Sequence, residues 1–141
     1  MAASRKAEDT ADRIHSAAIR LLRFVRKEDA AAGLPPAQLS ALSVLVFAGP
    51  QGLAALAAAE QVKPPTMSQL VAEMERKGLA MRVPVDRRSI RISATEKGRR
   101  LMEAGRKRRL ARLATALSRL PPEELTRLRD AAAIIVAVTE S

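Results

Sequence analysis

Apolar residues in the first thirty positions recur at spacings of three and four. Ile14, Ala18, Leu21, Leu22 and Val25 share one stripe, which predicts a long amphipathic helix over residues 4–32. Gly33-Leu-Pro-Pro36 ends it. A second helix is expected from Pro36, where a first-turn proline sacrifices no hydrogen bond; Leu39, Leu42, Leu45 and Val46 mark its buried side, and Gly49-Pro-Gln-Gly52 stops it. Residues 53–60, Leu-Ala-Ala-Leu-Ala-Ala-Ala-Glu, read as a short third helix that breaks at Gln61-Val-Lys63. Residues 64–77 read as a fourth, stopped by Gly78. The period then changes: residues 79–83 and 90–92 are short enough for strands, with Pro84-Val-Asp-Arg-Arg-Ser89 as a hairpin tip. This hairpin is the only β structure expected. Thr95-Glu96 supplies a cap and an acid suited to a helix N-terminus, opening a helix to about Leu120, and Pro121-Pro-Glu-Glu124 opens the last one.

Two short helices around a turn, followed by a small hairpin, form the layout of a winged helix-turn-helix, so the expected fold is mainly α with a β-hairpin wing. A chain of 141 residues supports one core rather than two ordinary domains. On the helix over 64–77, Met67, Leu70, Val71 and Met74 fall on one face, leaving Thr66, Ser68, Gln69, Glu73 and Arg76 outward. Gln pairs bidentately with adenine, and Thr and Ser bond base edges or phosphates, so Gln69 is the expected main base reader with Thr66 and Ser68 beside it. The bland reading of the same residues is a solvated helix face.

Composition and charge support a polyanionic partner. The chain is 48% hydrophobic but only 1% aromatic, so its core must be built from Ala, Leu, Val, Ile and Met. The formal net charge is +10, and from Arg82 to Arg112 twelve Lys or Arg face three acids, a local excess of nine. The positive field is therefore concentrated, as a nucleic acid or an anionic membrane would require. Within it, Arg87 and Arg88 at the hairpin tip suit a narrow minor groove, whose negative potential attracts arginine. The run Arg106-Lys-Arg-Arg109 reads as a solvated helix face, or as a source of long-range attraction for DNA.

Several functions lose their chemical basis. With no Cys and a single His, His15, there is no thiolate nucleophile, disulfide or Cys-based zinc site, and no Ser-His-Asp set or Gly-rich phosphate loop can be assembled. Neither an enzyme nor a cofactor is expected. The longest apolar run, residues 131–138, is about 8 residues against the roughly 20 that cross a bilayer, and the N-terminus has no signal-peptide core. A cytoplasmic protein without a membrane partner is the expectation. A helix over 131–138 is apolar on every side, which an intrachain core could satisfy, or more readily a second copy of the chain.

The ordered set formed by the Leu-Ala helix, Pro64-Pro-Thr-Met-Ser-Gln-Leu-Val71, Glu75-Arg-Lys-Gly-Leu79, Asp86-Arg-Arg-Ser89 and Thr95-Glu-Lys-Gly98 resembles the MarR family of bacterial transcription regulators. The resemblance spans essentially the whole chain. It implies a single winged-helix regulator over 1–141, with a DNA-binding lobe over 34–98 and dimerisation helices over 4–32 and 99–141. It also implies a homodimer on a palindromic operator of double-stranded DNA, acting as a repressor and released by a small aromatic or phenolic ligand. A non-specific architectural nucleic-acid binder is the alternative function.

By the same resemblance, the expected DNA-binding residues are Lys63, Pro65, Thr66, Ser68, Gln69, Arg76, Arg87 and Arg88, with Arg82 and Asp86 as a wing ion pair. His15, Phe24 and Phe47 are the expected lining of a ligand pocket, although for His15 a surface or dimer-interface place is the favoured reading. Lys63 stands where relatives often carry a Ser or Thr cap. It cannot accept amide hydrogens, and it suits either a phosphate shared with the free amides of the helix end or extension into water. Only Val83-Pro-Val85 separates Arg82 from Asp86, about two residues fewer than the family pattern, and Ala94 replaces the usual Leu before Thr95.

Overall fold

The computed structural model describes residues 1–140; Ser141, the last residue of the expected dimerisation segment, lies outside them. The elements are α1 (Arg5–Arg26), α2 (Pro36–Phe47), α3 (Leu53–Ala59), α4 (Pro64–Arg76), β1 (Ala80–Pro84), β2 (Ile90–Ala94), α5 (Glu96–Leu117) and α6 (Pro122–Thr139). The expected first helix is not continuous. Beyond Arg26 the chain tightens into a 3-10 helix over Lys27–Ala32, because the apolar stripe ends at Val25 and no buried face rewards a further α-helical turn. Helix α5 likewise stops at Leu117, three residues before the expected end, ahead of Pro121.

Two compact units divide the chain. One comprises Arg26–Lys107 and the other Met1–Val25 with the segment from Arg108 onward. The first holds the core: Ala41, Leu42 and Leu45 of α2, Leu56 and Ala57 of α3, Met67, Val71 and Met74 of α4, Leu79, Ala80, Ile92 and Ala94 of the hairpin, and Met102 of α5. No aromatic ring takes part. In the second unit, α1 and α6 bury none of their described residues.

The hairpin pairs antiparallel from Ala80 with Ala94 to Pro84 with Ile90. It is not the only β structure: Gln51 and Ile92 exchange two backbone hydrogen bonds, at 3.0 and 2.7 Å, as an isolated bridge. A single bridge residue in Gly49-Pro-Gln-Gly52 carries no periodicity, so no sequence pattern marks it. The bridge fastens the buried root of the wing to the segment between α2 and α3.

Candidate nucleic-acid interface

The turn between α3 and α4 is closed by backbone geometry. The amide of Gln61 donates to the Ala58 carbonyl and that of Val62 to Ala57, with Gln61 in the left-handed region at φ 57°. This is a Schellman ending built on Gln where Gly is favoured. Lys63 then precedes α4 without any side-chain capping bond. Pro64 and Pro65 have no amide hydrogens, and Met67 N–H already donates to the Lys63 carbonyl, so the first turn offers one free helical amide, that of Thr66. Any anion held there has Lys63 and one amide as partners, fewer than the expected cluster.

Helix α4 presents the expected faces with three exceptions, Ser68, Leu70 and Glu73. Met67, Val71 and Met74 are buried, while Pro65, Thr66, Gln69 and Arg76 are exposed; Ser68 and Leu70 are half-buried. Glu73, expected to point outward, is half-buried and accepts a hydrogen bond from Gln38 Nε2, while Lys77 Nζ donates to Gln38 Oε1 at 2.6 Å. Gln38 is 2% exposed, so burying its amide is made tolerable by charged partners at both ends. These bonds tie α2 to the C-terminal half of α4. A lone Gln beside an apolar stripe looks like a surface residue in sequence, which is why Gln38 escapes sequence reasoning.

The end of α4 is anchored more heavily than its beginning. Gly78, at φ 74°, and Leu79 return amide hydrogens to Glu75 and Met74. Thr95 Oγ1 donates to the Gly78 carbonyl and accepts from the Gly98 amide, which caps α5. Lys97 Nζ donates to the Lys77 carbonyl at 2.9 Å, a cation at the negative end of the α4 dipole. At Gly98 a Cβ would collide with the Leu79 carbonyl oxygen and lie 3.1 Å from Leu42 Cδ1. Thr95-Glu-Lys-Gly98 is thus a clasp joining α5 to the end of α4.

The expected ion pair between Arg82 and Asp86 is replaced by a different one. Arg82 Nε donates to Glu75 Oε1 at 2.9 Å. Asp86 is engaged at the wing tip instead. Its Oδ1 accepts the amides of Arg88 at 2.7 Å and Ser89 at 2.8 Å. Hydrogen bonds from the Arg88 amide, the Ser89 side chain and the Ser89 amide hold its carboxyl below the ordinary 3.8. With Val85 N–H donating to the Ser89 carbonyl, the tip is a closed turn that carries Arg87 and Arg88, both exposed.

The expected pocket residues are divided between the two units. His15 is exposed and Phe24 half-buried on α1, and nine residues of helix place them on opposite faces. Arg112 lies 4.4 Å from the Phe24 ring centroid. Phe47 belongs to the other unit and is exposed. Of the basic run, Arg106 and Lys107 are exposed whereas Arg108 and Arg109 are half-buried, so only part of it is a solvated face. Among the described residues there is no His, Cys, Asp and Glu cluster able to hold a metal, and no single helix is long and apolar enough to cross a membrane.

Comparison with known proteins places this geometry. The sequence model of the MarR family matches residues 34–90. An uncharacterised HTH-type transcriptional regulator of Mycobacterium bovis is 34% identical over 126 residues, covering 88% of each chain. Among solved structures, a MarR family protein from Bacillus stearothermophilus superposes with a TM-score of 0.81 at 25% identity over 100% of both chains. A transcriptional regulator from Thermotoga maritima gives the same TM-score and identity, covering 94% of this chain and 95% of its own.

Proposed function

The chain belongs to the MarR family of DNA-binding transcription regulators, and from that premise we propose that it is a cytoplasmic homodimeric repressor that reads a palindromic operator. The observation that carries this reading is one face of α4. Thr66, Gln69 and Arg76 stand exposed above the buried Met67, Val71 and Met74, so the helix is held by one side and offers the other to a major groove. Gln69, with Thr66 and Ser68, reads base edges, while Lys63 and Arg76 meet phosphates. The closed tip delivers Arg87 and Arg88 to the neighbouring minor groove.

The exposed apolar residues of α1 and α6 support the dimer. Ile14, Leu21 and Leu22 on α1 and Ile134, Ile135 and Val138 on α6 are between 40% and 66% exposed in the single chain, and exposed apolar residues grouped in this way mark an interaction surface. In our reading residues 4–32 and 99–141 pair two copies, and the pairing sets the distance between two lobes over 34–98. A small aromatic or phenolic ligand that altered this distance would lower operator affinity without touching a base.

The test is Arg88→Ala on a duplex selected from a random library, read by fluorescence anisotropy. About tenfold weaker binding with an intact dimer is expected, from the loss of one minor-groove arginine per subunit. Unchanged affinity would remove the wing from the interface, and equal affinity for unrelated duplexes would favour an architectural binder.

A further inference from the structure

We propose that Glu75 is a positioning residue for DNA binding: through Arg82 it braces the wing against the recognition helix and sets the angle at which the wing tip meets DNA. The inference rests on the proposed operator-reading role. Glu75 is the penultimate residue of α4, and Arg82 is the third of β1. Between them the chain turns sharply at Gly78 and is plugged by the buried Leu79. The ion pair crosses this turn at 2.9 Å.

Its place in the hairpin gives it leverage. Arg82 pairs with Ile92, which is buried and bridged to Gln51. From Val83 to Arg91 every residue is exposed. The brace therefore acts at the last position where the hairpin is held by the lobe, and strand pairing alone carries the remainder. With roughly 13 Å of strand between Arg82 and Asp86, a tilt of about 10° at the brace displaces the tip by about 2 Å. That is enough to break hydrogen-bond geometry at a groove. The side chains of Arg82 and Glu75 are 38% and 34% exposed, so the pair adds little to folding stability. Its consequence lies in orientation. The brace also occupies Arg82, which in this arrangement does not serve as a phosphate contact, and leaves Asp86 free to close the tip.

The experiment is a double-mutant cycle of Glu75→Ala and Arg82→Ala on a duplex selected from a random library. Dissociation constants are measured across a salt series, and wing amide residual dipolar couplings are measured in the free protein. Removing an acid from the last turn of α4 favours that helix, so Glu75→Ala is expected to fold.

Each single variant is expected to bind about three- to fivefold more weakly, the range of a surface ion pair. The double variant should bind no worse than the weaker single one, the salt slope should stay constant, and the wing couplings should rotate relative to those of α4. If Arg82→Ala alone weakens binding and lowers the salt slope by about one phosphate while Glu75→Ala does not weaken it, Arg82 is a phosphate contact and the brace is overturned. Additive losses overturn it as well. Should the library yield no preferred duplex, the operator-reading role fails, and the dipolar couplings decide the brace alone: an unmoved wing in Glu75→Ala rejects it.

Discussion

The segment over Arg26–Lys107 closes a core around Leu42, Leu56, Met67 and Ile92, whereas α1 and α6 of the other unit bury none of their described residues. Both regions are rich in Ala and aliphatic side chains, so composition does not separate them. The difference is where the apolar faces find partners. In the first unit, α2, α3, α4 and the hairpin supply complementary faces from within a short stretch of chain. The apolar residues of α1 and α6 remain at the surface, as expected of helices that are completed by a second copy.

Mutations in the two regions should therefore behave oppositely. Leu42→Ala leaves a cavity in the closed core and should lower the unfolding free energy by about 3 kcal/mol, read by urea denaturation. A loss under about 1 kcal/mol would mean that this core is not the cooperative unit. Ile134→Asp, at a position 63% exposed in the single chain, should leave the amide spectrum of residues 34–98 unchanged. The same substitution should weaken dimerisation more than tenfold in sedimentation equilibrium, through a charge buried at an interface. A dimer unaffected by it would move the pairing surface away from this face of α6.

The contrast extends to what the sequence makes legible. Apolar periodicity, with the Gly and Pro stops, locates α2, α3 and α4 to within a residue or two, because each buried face is completed nearby in sequence. It also separates Met67, Val71 and Met74 from the exposed Thr66 and Gln69 on α4. It does not find Gln38, since a buried amide satisfied by Glu73 and Lys77 depends on partners more than thirty residues away. Nor does it find the Arg82 and Glu75 pair. Family resemblance points to Asp86, whose carboxylate is held instead by the tip amides. The Gln51 bridge is a single residue and leaves no pattern.

Smaller effects refine the account of the lobe. Gln61→Gly should raise its stability by about 0.5 to 1 kcal/mol, because Gly adopts the left-handed conformation of the turn without a Cβ penalty, partly offset by a more flexible unfolded chain. Destabilisation would show that the Gln61 side chain contributes to the turn. The pH dependence of the wing is smaller still. Asp86 has its folded carboxyl held below 3.8, so its contribution to tip order is complete above that pH and is lost as pH falls through the lowered value. The Arg88 and Ser89 amide resonances should therefore shift together in acid with a midpoint below 3.8. A midpoint at or above 3.8 would contradict the amide cage around Asp86.

The most direct test of the central claim, that paired outer helices hold two self-contained reading lobes at a fixed separation, is selection of bound sequences from a random duplex library at near-physiological salt. One palindrome is expected, with half-sites about one helical turn apart, roughly 10 base pairs centre to centre. Recovery of a solitary half-site, or of no motif despite tight salt-sensitive binding, would contradict it.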